Sequence, residues 1–201
     1  MKKIRSLCVY CGSAMGGSER YAQAARALGQ ELVRRDIGLV YGGGNVGLMG
    51  AIADAVMQGG GRATGVIPQA LMKREVGHTG LTRLFVVKDM HERKAMMSEL
   101  SDGFIAMPGG FGTLEELFEV TTWAQLGLHQ KPIGLLNVNG FYDALTGFAS
   151  HLVGQGFVRP DHAQLLMHAP DAAALLDQFE SYVPNIKVKW LEREQAKEIL
   201  P

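Results

Sequence analysis

Short apolar runs alternate with amphipathic segments along most of this chain. Runs of strand length, rich in Val, Ile, Leu and Phe, cover residues 4–10, 37–41, 63–67, 83–87, 102–107 and 132–138. Helical spacing of apolar residues covers residues 19–35, 47–57, 89–100, 113–126 and 141–154. Nearly continuous apolar strands joined by helices are typical of a parallel sheet covered on both faces. The sequence therefore predicts an α/β fold, a doubly wound parallel sheet of the Rossmann-like kind, which binds ligands at the carboxyl ends of its strands.

The length of the chain suits a single domain. With 201 residues, 47% of them hydrophobic, it can bury roughly 70% of its unfolded surface in one core. A short apolar run at 165–167 and a helix at 170–179 complete the predicted domain, which we take as residues 1–184. Residues 185–201 form a C-terminal tail with charges of both signs, and no repeat or linker in the sequence separates a second domain.

The charge pattern argues against two classes of partner. Lys and Arg together number 20, as do Asp and Glu, and no basic block interrupts the chain, so we expect no binding to nucleic acid. No apolar stretch reaches the ~20 residues that span a bilayer, so we expect no membrane association. Because residues 1–4 lead directly into a strand rather than into a signal peptide, we expect a cytoplasmic protein.

A glycine-rich segment, Pro-Gly-Gly-Phe-Gly-Thr-Leu-Glu-Glu at residues 108–116, directly follows the apolar run 102–107. Its glycines allow a tight turn and a close approach of a ligand to the backbone. Thr113 is expected to open a helix, whose free N–H groups and dipole favour a phosphate. Because Glu115 and Glu116 follow at once, the segment predicts chemistry on a phosphorylated substrate.

A second glycine cluster lies between a strand and a helix at residues 42–50. It satisfies the G-x-G-x-x-G pattern, but a dinucleotide site requires that pattern after the first strand and an acidic residue ~20 positions later. The next strand instead ends at Ile67 and Pro68, which disfavours an NAD-dependent enzyme. We predict that Gly43 and Gly44 belong to a nucleotide-binding loop, although tight turns and close helix packing also explain part of the cluster.

Arg93 occupies an unusual position in the helix predicted for residues 89–100. Asp89 and Glu92 have the spacing of a capping box at the start of this helix. Arg93 falls in the first turn, where the helix dipole disfavours cations, and at the edge of the apolar face. An arginine in that position indicates an anionic partner, which is either a ligand or a carboxylate of a nearby loop.

Glu116 has two interpretations that the sequence leaves open. Thr113 and Glu116 have the spacing of a capping box, so this glutamate could simply close the start of its helix. It could equally be a catalytic carboxylate beside the phosphate. Glu115, Glu119 and Thr122 recur at helical spacing on a neighbouring face and form a polar stripe that can line a pocket.

Cys8 and Cys11 form a C-x-x-C pair at the end of the first predicted strand. A redox or zinc site is disfavoured, because the pair ends a strand instead of opening a helix and the sequence has no second pair of cysteine ligands. Three-residue spacing in a strand also directs the two thiols to opposite faces. We therefore expect two buried small hydrophobic side chains and no metal site.

Four motifs together resemble those of one enzyme family. They are Cys-Gly-Ser at residues 11–13, Tyr-Gly-Gly-Gly-Asn-Val-Gly-Leu-Met-Gly at 41–50, Met-His-Glu-Arg-Lys at 90–94 and the glycine-rich segment 108–116. In this order they are similar to the Lonely Guy family of cytokinin-activating phosphoribohydrolases, and the resemblance extends from residue 4 to about residue 155. It implies hydrolysis of the N-glycosidic bond of cytokinin riboside 5′-monophosphates or of AMP, with release of the free base and ribose 5-phosphate.

The resemblance also implies a set of site residues and a homodimer. Arg93 and Glu116 match the pair regarded as catalytic in the family. The positions that match substrate contacts are Glu75, Lys94, Gly110, Phe111, Gly112, Thr113, Leu114, Glu115 and Thr122. Ala14 stands where many relatives have a serine, and we expect little consequence. Family members have often been labelled lysine decarboxylases, yet no lysine here has a recognisable context for pyridoxal phosphate, so we expect no cofactor.

The main alternative is a non-catalytic binding protein, since carriers of the molybdenum cofactor are similar in fold and in their glycine loops. A carrier has no need of Arg93 together with Glu116. Formation of adenine from AMP distinguishes the enzyme from the carrier, whereas binding of a nicotinamide cofactor would indicate NAD chemistry.

Overall fold

A seven-stranded parallel sheet forms the centre of the molecule in a computed structural model that describes residues 3–72 and 77–184. The strands are β1 (Ser6–Tyr10), β2 (Gly38–Tyr41), β3 (Ala63–Pro68), β4 (Arg83–Val87), β5 (Phe104–Ala106), β6 (Ile133–Leu136) and β7 (Leu166–Ala169). Their order across the sheet is β4-β3-β2-β1-β5-β6-β7, and each pairing is parallel. The predicted doubly wound parallel sheet is confirmed.

Helices cover both faces of this sheet. They are α1 (Glu19–Arg34), α2 (Gly47–Gln58), α3 (Met90–Glu99), α4 (Phe111–Gln125), α5 (Asp143–Gly154), α6 (Pro160–Ala163) and α7 (Ala172–Glu180). Because side chains alternate along a strand, β1 contributes to two cores. Leu7 and Val9 pack with α1, α2 and α7, whereas Cys8 and Tyr10 pack with α3 and α4. Among the described residues, none of the helices is both long and apolar enough to cross a membrane.

The two cysteines lie in different cores, as the strand spacing predicts. Cys8 belongs to the core under α3 and α4, Cys11 belongs to the core under α1 and α2, and both are buried and free. Burial raises the pKa of both thiols, which disfavours the reactive thiolate. No group of three or more His, Cys, Asp or Glu side chains is placed to hold a metal ion in the described ranges 3–72 and 77–184.

The last part of the described chain differs in detail from the prediction. The apolar run predicted at 165–167 overlaps the start of edge strand β7, which begins at Leu166 and continues through the exposed His168 because an edge strand faces solvent. Helix α7 begins at Ala172 instead of residue 170, since Asp171 is its N-cap and accepts a hydrogen bond from the N–H of Ala174 at 2.9 Å. The predicted tail, 185–201, lies outside the described residues.

The order of the strands makes β1 the point at which the chain changes direction across the sheet. Strands β2, β3 and β4 follow on one side of β1, and β5, β6 and β7 follow on the other. The loops that leave the carboxyl ends of β1, β2 and β5 therefore meet in one crevice. These loops are residues 11–18, 42–46 and 107–110, so both glycine clusters lie where open α/β sheets bind ligands.

Candidate active site

A cavity of about 340 Å³ occupies this crevice. It is lined by Val9, Tyr10, Cys11, Gly12, Ser13, Gly42, Met49, Leu71, Met90, Arg93, Met97, Gly110, Phe111, Gly112, Thr113, Glu115 and Glu116. A larger cavity of about 720 Å³ lies at the opposite end of the sheet, against residues that precede β1, β5 and β6. That cavity contains neither glycine cluster, and open α/β sheets bind ligands at their carboxyl ends. We therefore assign the site to the smaller cavity.

The start of α4 presents an open cradle of backbone N–H groups to the cavity. Gly110 is the N-cap residue, in extended conformation, and it provides no side-chain cap. A Cβ atom at Gly110 or Gly112 would meet nothing within 4 Å, so packing within the chain does not require glycine at either position. The space beside both residues is open to a ligand. Because the N–H groups and the dipole of a first helical turn favour an anion, the cradle fits a phosphate.

The prediction that Thr113 opens this helix is wrong, and the true start decides whether Glu116 is a cap. Helix α4 begins at Phe111, because the carbonyl of Gly110 already accepts a hydrogen bond from Leu114 at 3.2 Å. Thr113 is instead buried within the first turn. Glu116 lies in the second turn, too far along the helix to form a capping box with Gly110. Capping therefore does not explain Glu116, which is half-buried and lines the cavity.

Arg93 is held in the cavity wall by backbone carbonyl groups. Its side chain is buried, with 6% of the residue exposed. Nε donates to the carbonyl of Val66 at 3.2 Å, and Nη2 donates to the carbonyl of Gly42 at 3.2 Å. A Cβ atom on Gly42 would collide with the guanidinium, which explains the requirement for glycine there. The fold thus fixes the direction of a side chain that cannot lose its charge.

The predicted cap at the start of α3 orients this arginine. Asp89 is the N-cap residue, and its carboxylate accepts from the N–H of Glu92 at 3.0 Å, as predicted. The Glu92 carboxylate in turn accepts a hydrogen bond at 2.7 Å from the N–H of Lys88, one residue before the N-cap position. The hydrogen bond from Glu92 lowers the pKa of Asp89. The cap fixes the first turn of α3, and Arg93 follows directly after it.

Arg93 and Glu116 act electrostatically on the same thiol in the cavity wall. Burial is the main cause of the raised pKa of Cys11, the charge of Glu116 raises it further, and the charge of Arg93 opposes both. Both charges also act on Cys8. A carboxylate and a fixed cation therefore lie within electrostatic reach of one point beside the cradle.

Lys94 connects α3 to α4. Its Nζ atom donates to Oε1 of Glu115 at 2.5 Å and to Oε1 of Glu119 at 3.0 Å. Burial opposes the charged form of Lys94, but the two hydrogen bonds outweigh burial and raise its pKa. Glu115 lines the cavity, whereas Lys94 does not. The side-chain contacts of Lys94 are thus with carboxylates of α4, and its predicted contact with substrate stays a prediction.

The glycine loop after β2 serves mainly to pack the chain. Gly43 has a φ of +76°, and its carbonyl accepts from the N–H of His78 at 2.9 Å. Gly44 forms an antiparallel bridge with Gly77. Neither Gly43 nor Gly44 lines the cavity, although their neighbour Gly42 does. Their assignment as nucleotide contacts stays a prediction.

Three other predicted contacts are also away from the cavity or beyond the described chain. Thr122 is exposed, and its hydroxyl donates to the carbonyl of Phe118 at 2.7 Å. Leu114 is half-buried and packs against the core under α3 and α4. Glu75 lies outside the described residues. These assignments likewise stay predictions.

Sequence reasoning missed the apolar wall of the cavity. Met49, Met90 and Met97 line it together with Leu71. The methionines lie on helices, where apolar spacing alone does not separate a core side chain from one that contacts a ligand. The segment 10–13 did carry a signal, because the loop after the first strand of a doubly wound sheet borders its crevice.

Known proteins resemble the chain over most of its length. The family model described as "Possible lysine decarboxylase" matches residues 49–179. The chain is 52% identical over 186 residues to the cytokinin riboside 5′-monophosphate phosphoribohydrolase LOG of Oryza sativa subsp. japonica, a match that covers 92% of this chain and 77% of that protein. It is 52% identical over 183 residues to a protein of Arabidopsis thaliana with the same enzyme name, which covers 91% of this chain and 86% of the relative.

Solved structures share the fold at lower identity. The molybdenum cofactor carrier protein of Chlamydomonas reinhardtii has a TM-score of 0.67 at 20% identity, over 90% of this chain and 100% of that chain. The molybdenum cofactor binding protein of Rippkaea orientalis has a TM-score of 0.67 at 21% identity, over 90% of this chain and 98% of that chain. At these identities the likeness concerns the fold alone.

Proposed function

Because this chain belongs to the Lonely Guy family of cytokinin riboside 5′-monophosphate phosphoribohydrolases, we propose that it hydrolyses the N-glycosidic bond of adenine-type nucleoside 5′-monophosphates. The products are the free base and ribose 5-phosphate. The observation that carries the proposal is a single cavity lined by Arg93, Glu116 and the start of α4. A carboxylate, a fixed cation and a phosphate cradle are the groups that such a reaction uses.

Glu116 is the group best placed to stabilise the transition state. Breaking the bond between C1′ and the base builds positive charge on C1′ and on the ring oxygen of the ribose. A carboxylate in a partly buried wall stabilises that charge more strongly than it would in water. With the 5′-phosphate in the cradle at Gly110 to Thr113, the same carboxylate can orient the water that attacks C1′ or the hydroxyl groups of the ribose.

Arg93 contributes a fixed positive charge. It cannot act as a general acid, because a guanidinium does not deprotonate in proteins. The carbonyl groups of Val66 and Gly42 occupy two of its N–H directions and hold the group in place. Its role is to hold the phosphate or to orient Glu116, through charge-assisted hydrogen bonds.

The apolar wall of the cavity influences which base the site accepts. Met49, Met90 and Met97 are flexible, polarisable side chains, which adapt to ligands of different shape. Such a wall suits an adenine that carries a prenyl group and also tolerates adenine itself. We therefore propose activity on both cytokinin riboside 5′-monophosphates and AMP.

The carrier function is the weaker alternative. Its support is a shared fold at 20% identity, whereas the phosphoribohydrolases are 52% identical. The presence of the buried Arg93 and of Glu116 in one cavity also favours catalysis, because a carrier needs no carboxylate that stabilises a developing cation.

Substitution of Glu116 by Gln tests the catalytic assignment. Because Gln removes the charge and keeps the shape, kcat for AMP is expected to fall by about a hundredfold or more, with the melting temperature little changed. Chromatography of the released adenine measures the rate. Glu99→Ala, at an exposed glutamate in the last turn of α3, is the control and is expected to leave kcat unchanged. A folded Glu116→Gln protein with near-normal turnover of AMP and of prenylated nucleotides would contradict the proposal.

A comparison of AMP with adenosine tests the phosphate cradle. Loss of charge-assisted contacts to the phosphate is expected to cost several kcal/mol, which appears partly in kcat because remote binding energy helps to orient the reacting centre. The same chromatographic assay gives kcat/KM for each substrate. Equal values for AMP and adenosine would exclude a phosphate site at the start of α4.

Exposed apolar side chains on α4 and α5 support a homodimer. Helix α5 contains no buried residue, although Leu145, Phe148 and Leu152 give it an apolar stripe. Phe118 of α4 is also exposed, and both helices lie on the same face of the sheet. An apolar surface of this kind is typical of an interface, and a second copy of the chain can cover it symmetrically.

A further inference from the structure

Glu119 lies outside the cavity but is connected to it through Lys94. The Lys94 ammonium bridges Glu115 and Glu119, so one side chain of α3 holds two successive turns of α4. The side chain of Lys94 is 10% exposed and that of Glu119 is 24% exposed. The pair is therefore largely shielded from water, which weakens screening by salt.

Residues 110–112, at the very start of α4, do not anchor the turn by side-chain packing. Its N-cap is Gly110, with no side-chain cap, and a second glycine, Gly112, follows two positions later. Glycines at these positions raise the conformational freedom of the turn. Phe111 is 93% exposed and does not anchor the turn either. Thr113 and Leu117 anchor α4 by burial in the core, and the Lys94 bridge adds a polar contact that ties this part of the helix to α3.

We propose that Glu119 is a positioning residue: together with Lys94 it fixes the first two turns of α4 against α3, so that the phosphate cradle and Glu116 face Arg93. The expected effect on the reaction rate rests on the proposed function, whereas the role of Glu119 in fixing the position of α4 does not. Arg93 and Lys94 are adjacent on α3, so the helix that carries the catalytic cation also carries the bridge. A shift of α4 along α3 would change the distance from Glu116 to the substrate, and misplacement by ~1 Å can reduce a rate by up to about a hundredfold.

The charge of Glu119 separates positioning from a direct effect on substrate binding. Removing a negative charge near the cradle makes the surroundings more favourable to an anionic substrate, so KM for AMP is not expected to rise. A loss of alignment instead lowers kcat. A direct effect on substrate binding therefore changes KM, loss of positioning lowers kcat, and a purely structural role lowers the melting temperature with kcat unchanged.

Kinetics of Glu119→Ala, Glu119→Gln and Glu119→Asp on AMP test the proposal. Glu119→Ala is expected to lower kcat by about tenfold at unchanged or lower KM. Glu119→Gln keeps an acceptor for Lys94 and is expected to recover most of that loss. Glu119→Asp keeps the charge but shortens the side chain, so it is also expected to lower kcat. It provides the test if the alanine variant does not fold. Glu99→Ala is the matched control on α3. A value of kcat for the alanine or aspartate variant within twofold of the unmodified protein, or a rise in KM alone, would overturn the proposal.

Hydrogen exchange separates this proposal from the proposed function. Amides in the first two turns of α4 are expected to exchange at least about tenfold faster in Glu119→Ala, or in Glu119→Asp, than in the unmodified protein. This measurement needs no substrate. If the unmodified protein does not hydrolyse AMP but the exchange rates rise as expected, the function is wrong and the positioning role holds. Unchanged exchange in this segment would overturn the positioning role whatever the activity.

Discussion

At the scale of the residue, glycine has two different uses around the cavity. At Gly42 the Arg93 guanidinium occupies the space of a side chain, and at Gly109 the side chain of Thr113 does so. At Gly110 and Gly112 the space is open. The first pair permits close packing, and the second pair leaves room for a ligand. A glycine motif in a sequence contains both kinds, and only the packing around each position separates them.

Gly112→Ala tests the open space directly. Alanine at a helical position stabilises by roughly 0.5–1 kcal/mol, and its Cβ meets no atom of the chain. We therefore expect equal or higher stability in urea unfolding, together with a higher KM for AMP. Gly154→Ala, at the exposed end of α5 with similar open space, is the control and should not change KM. An unchanged KM in the Gly112 variant would place the phosphate elsewhere.

The unusual position of Arg93 was readable from the sequence, but its acceptors were not. A cation in a first helical turn conflicts with the dipole, and that conflict is a local signal. Val66 lies within β3 and Gly42 directly follows β2, 27 and 51 residues away in the chain, so only the sheet brings their carbonyl groups to the guanidinium. Glu116 stayed ambiguous for a related reason, because the exact start of a helix is the least certain part of any sequence-based assignment.

At the scale of the element, one arginine joins the first and last described helices. Arg35 follows α1 directly and donates to Glu31 at 2.7 Å, to Asp177 of α7 at 2.7 Å and to Glu180 of α7 at 2.8 Å. Hydrogen bonds from Arg34 and Arg35 outweigh burial and lower the pKa of Glu31 to about 2. The ionised form of Glu31 therefore stabilises the end of α1 and helps to hold Arg35, which contacts α7.

This contact predicts a defined loss of stability in acid. The pKa of Glu31 is about 2 in the folded protein and 4.5 in the reference state, so its contribution is complete above pH 4.5 and is lost as the pH falls towards 2. Near neutral pH the unmodified protein should have a higher melting temperature than Glu31→Gln. The difference in melting temperature should shrink as the pH falls from 4.5 towards 2. Melting temperatures measured against pH test this, with Glu99→Gln as the control. A difference that is constant between pH 6 and about pH 2 would contradict the assignment.

Strands and helices were predictable as elements because their signals are local. Apolar runs and helical spacing lie within a few residues of each other, and the predicted β2, β3 and β4 match the observed strands to within one residue at each end. The order of the strands across the sheet was not readable in the same way. Parallel pairing joins residues far apart in the chain, such as Cys8 with Phe104. Only the general rule for doubly wound sheets pointed to the crevice.

At the scale of the whole molecule, the apolar surface of α4 and α5 predicts a dimer that one charge can break. Phe148→Glu places a carboxylate on a side chain that is 54% exposed, so the fold should tolerate it while association should not. Sedimentation at micromolar concentration is expected to give a dimer for the unmodified protein and a monomer for the variant. Val86→Glu, on edge strand β4 and equally exposed at 54%, should remain dimeric. A stable monomer of the unmodified protein would refute the dimer.

A ribosome completes β1, at Ser6–Tyr10, long before it makes β5, at Phe104–Ala106. Until β5 emerges, one edge of the central strand has no neighbour, and the side chains of Cys8 and Tyr10 lack the cover that α4 gives them. An open apolar edge of this kind is a template for pairing with other chains. The nascent protein is therefore most prone to aggregation after β1 to β4 have been made and before β5 is available to pair with β1. Synthesis of β5 and α4 then closes that edge, covers the apolar side chains and brings Glu116 to the site.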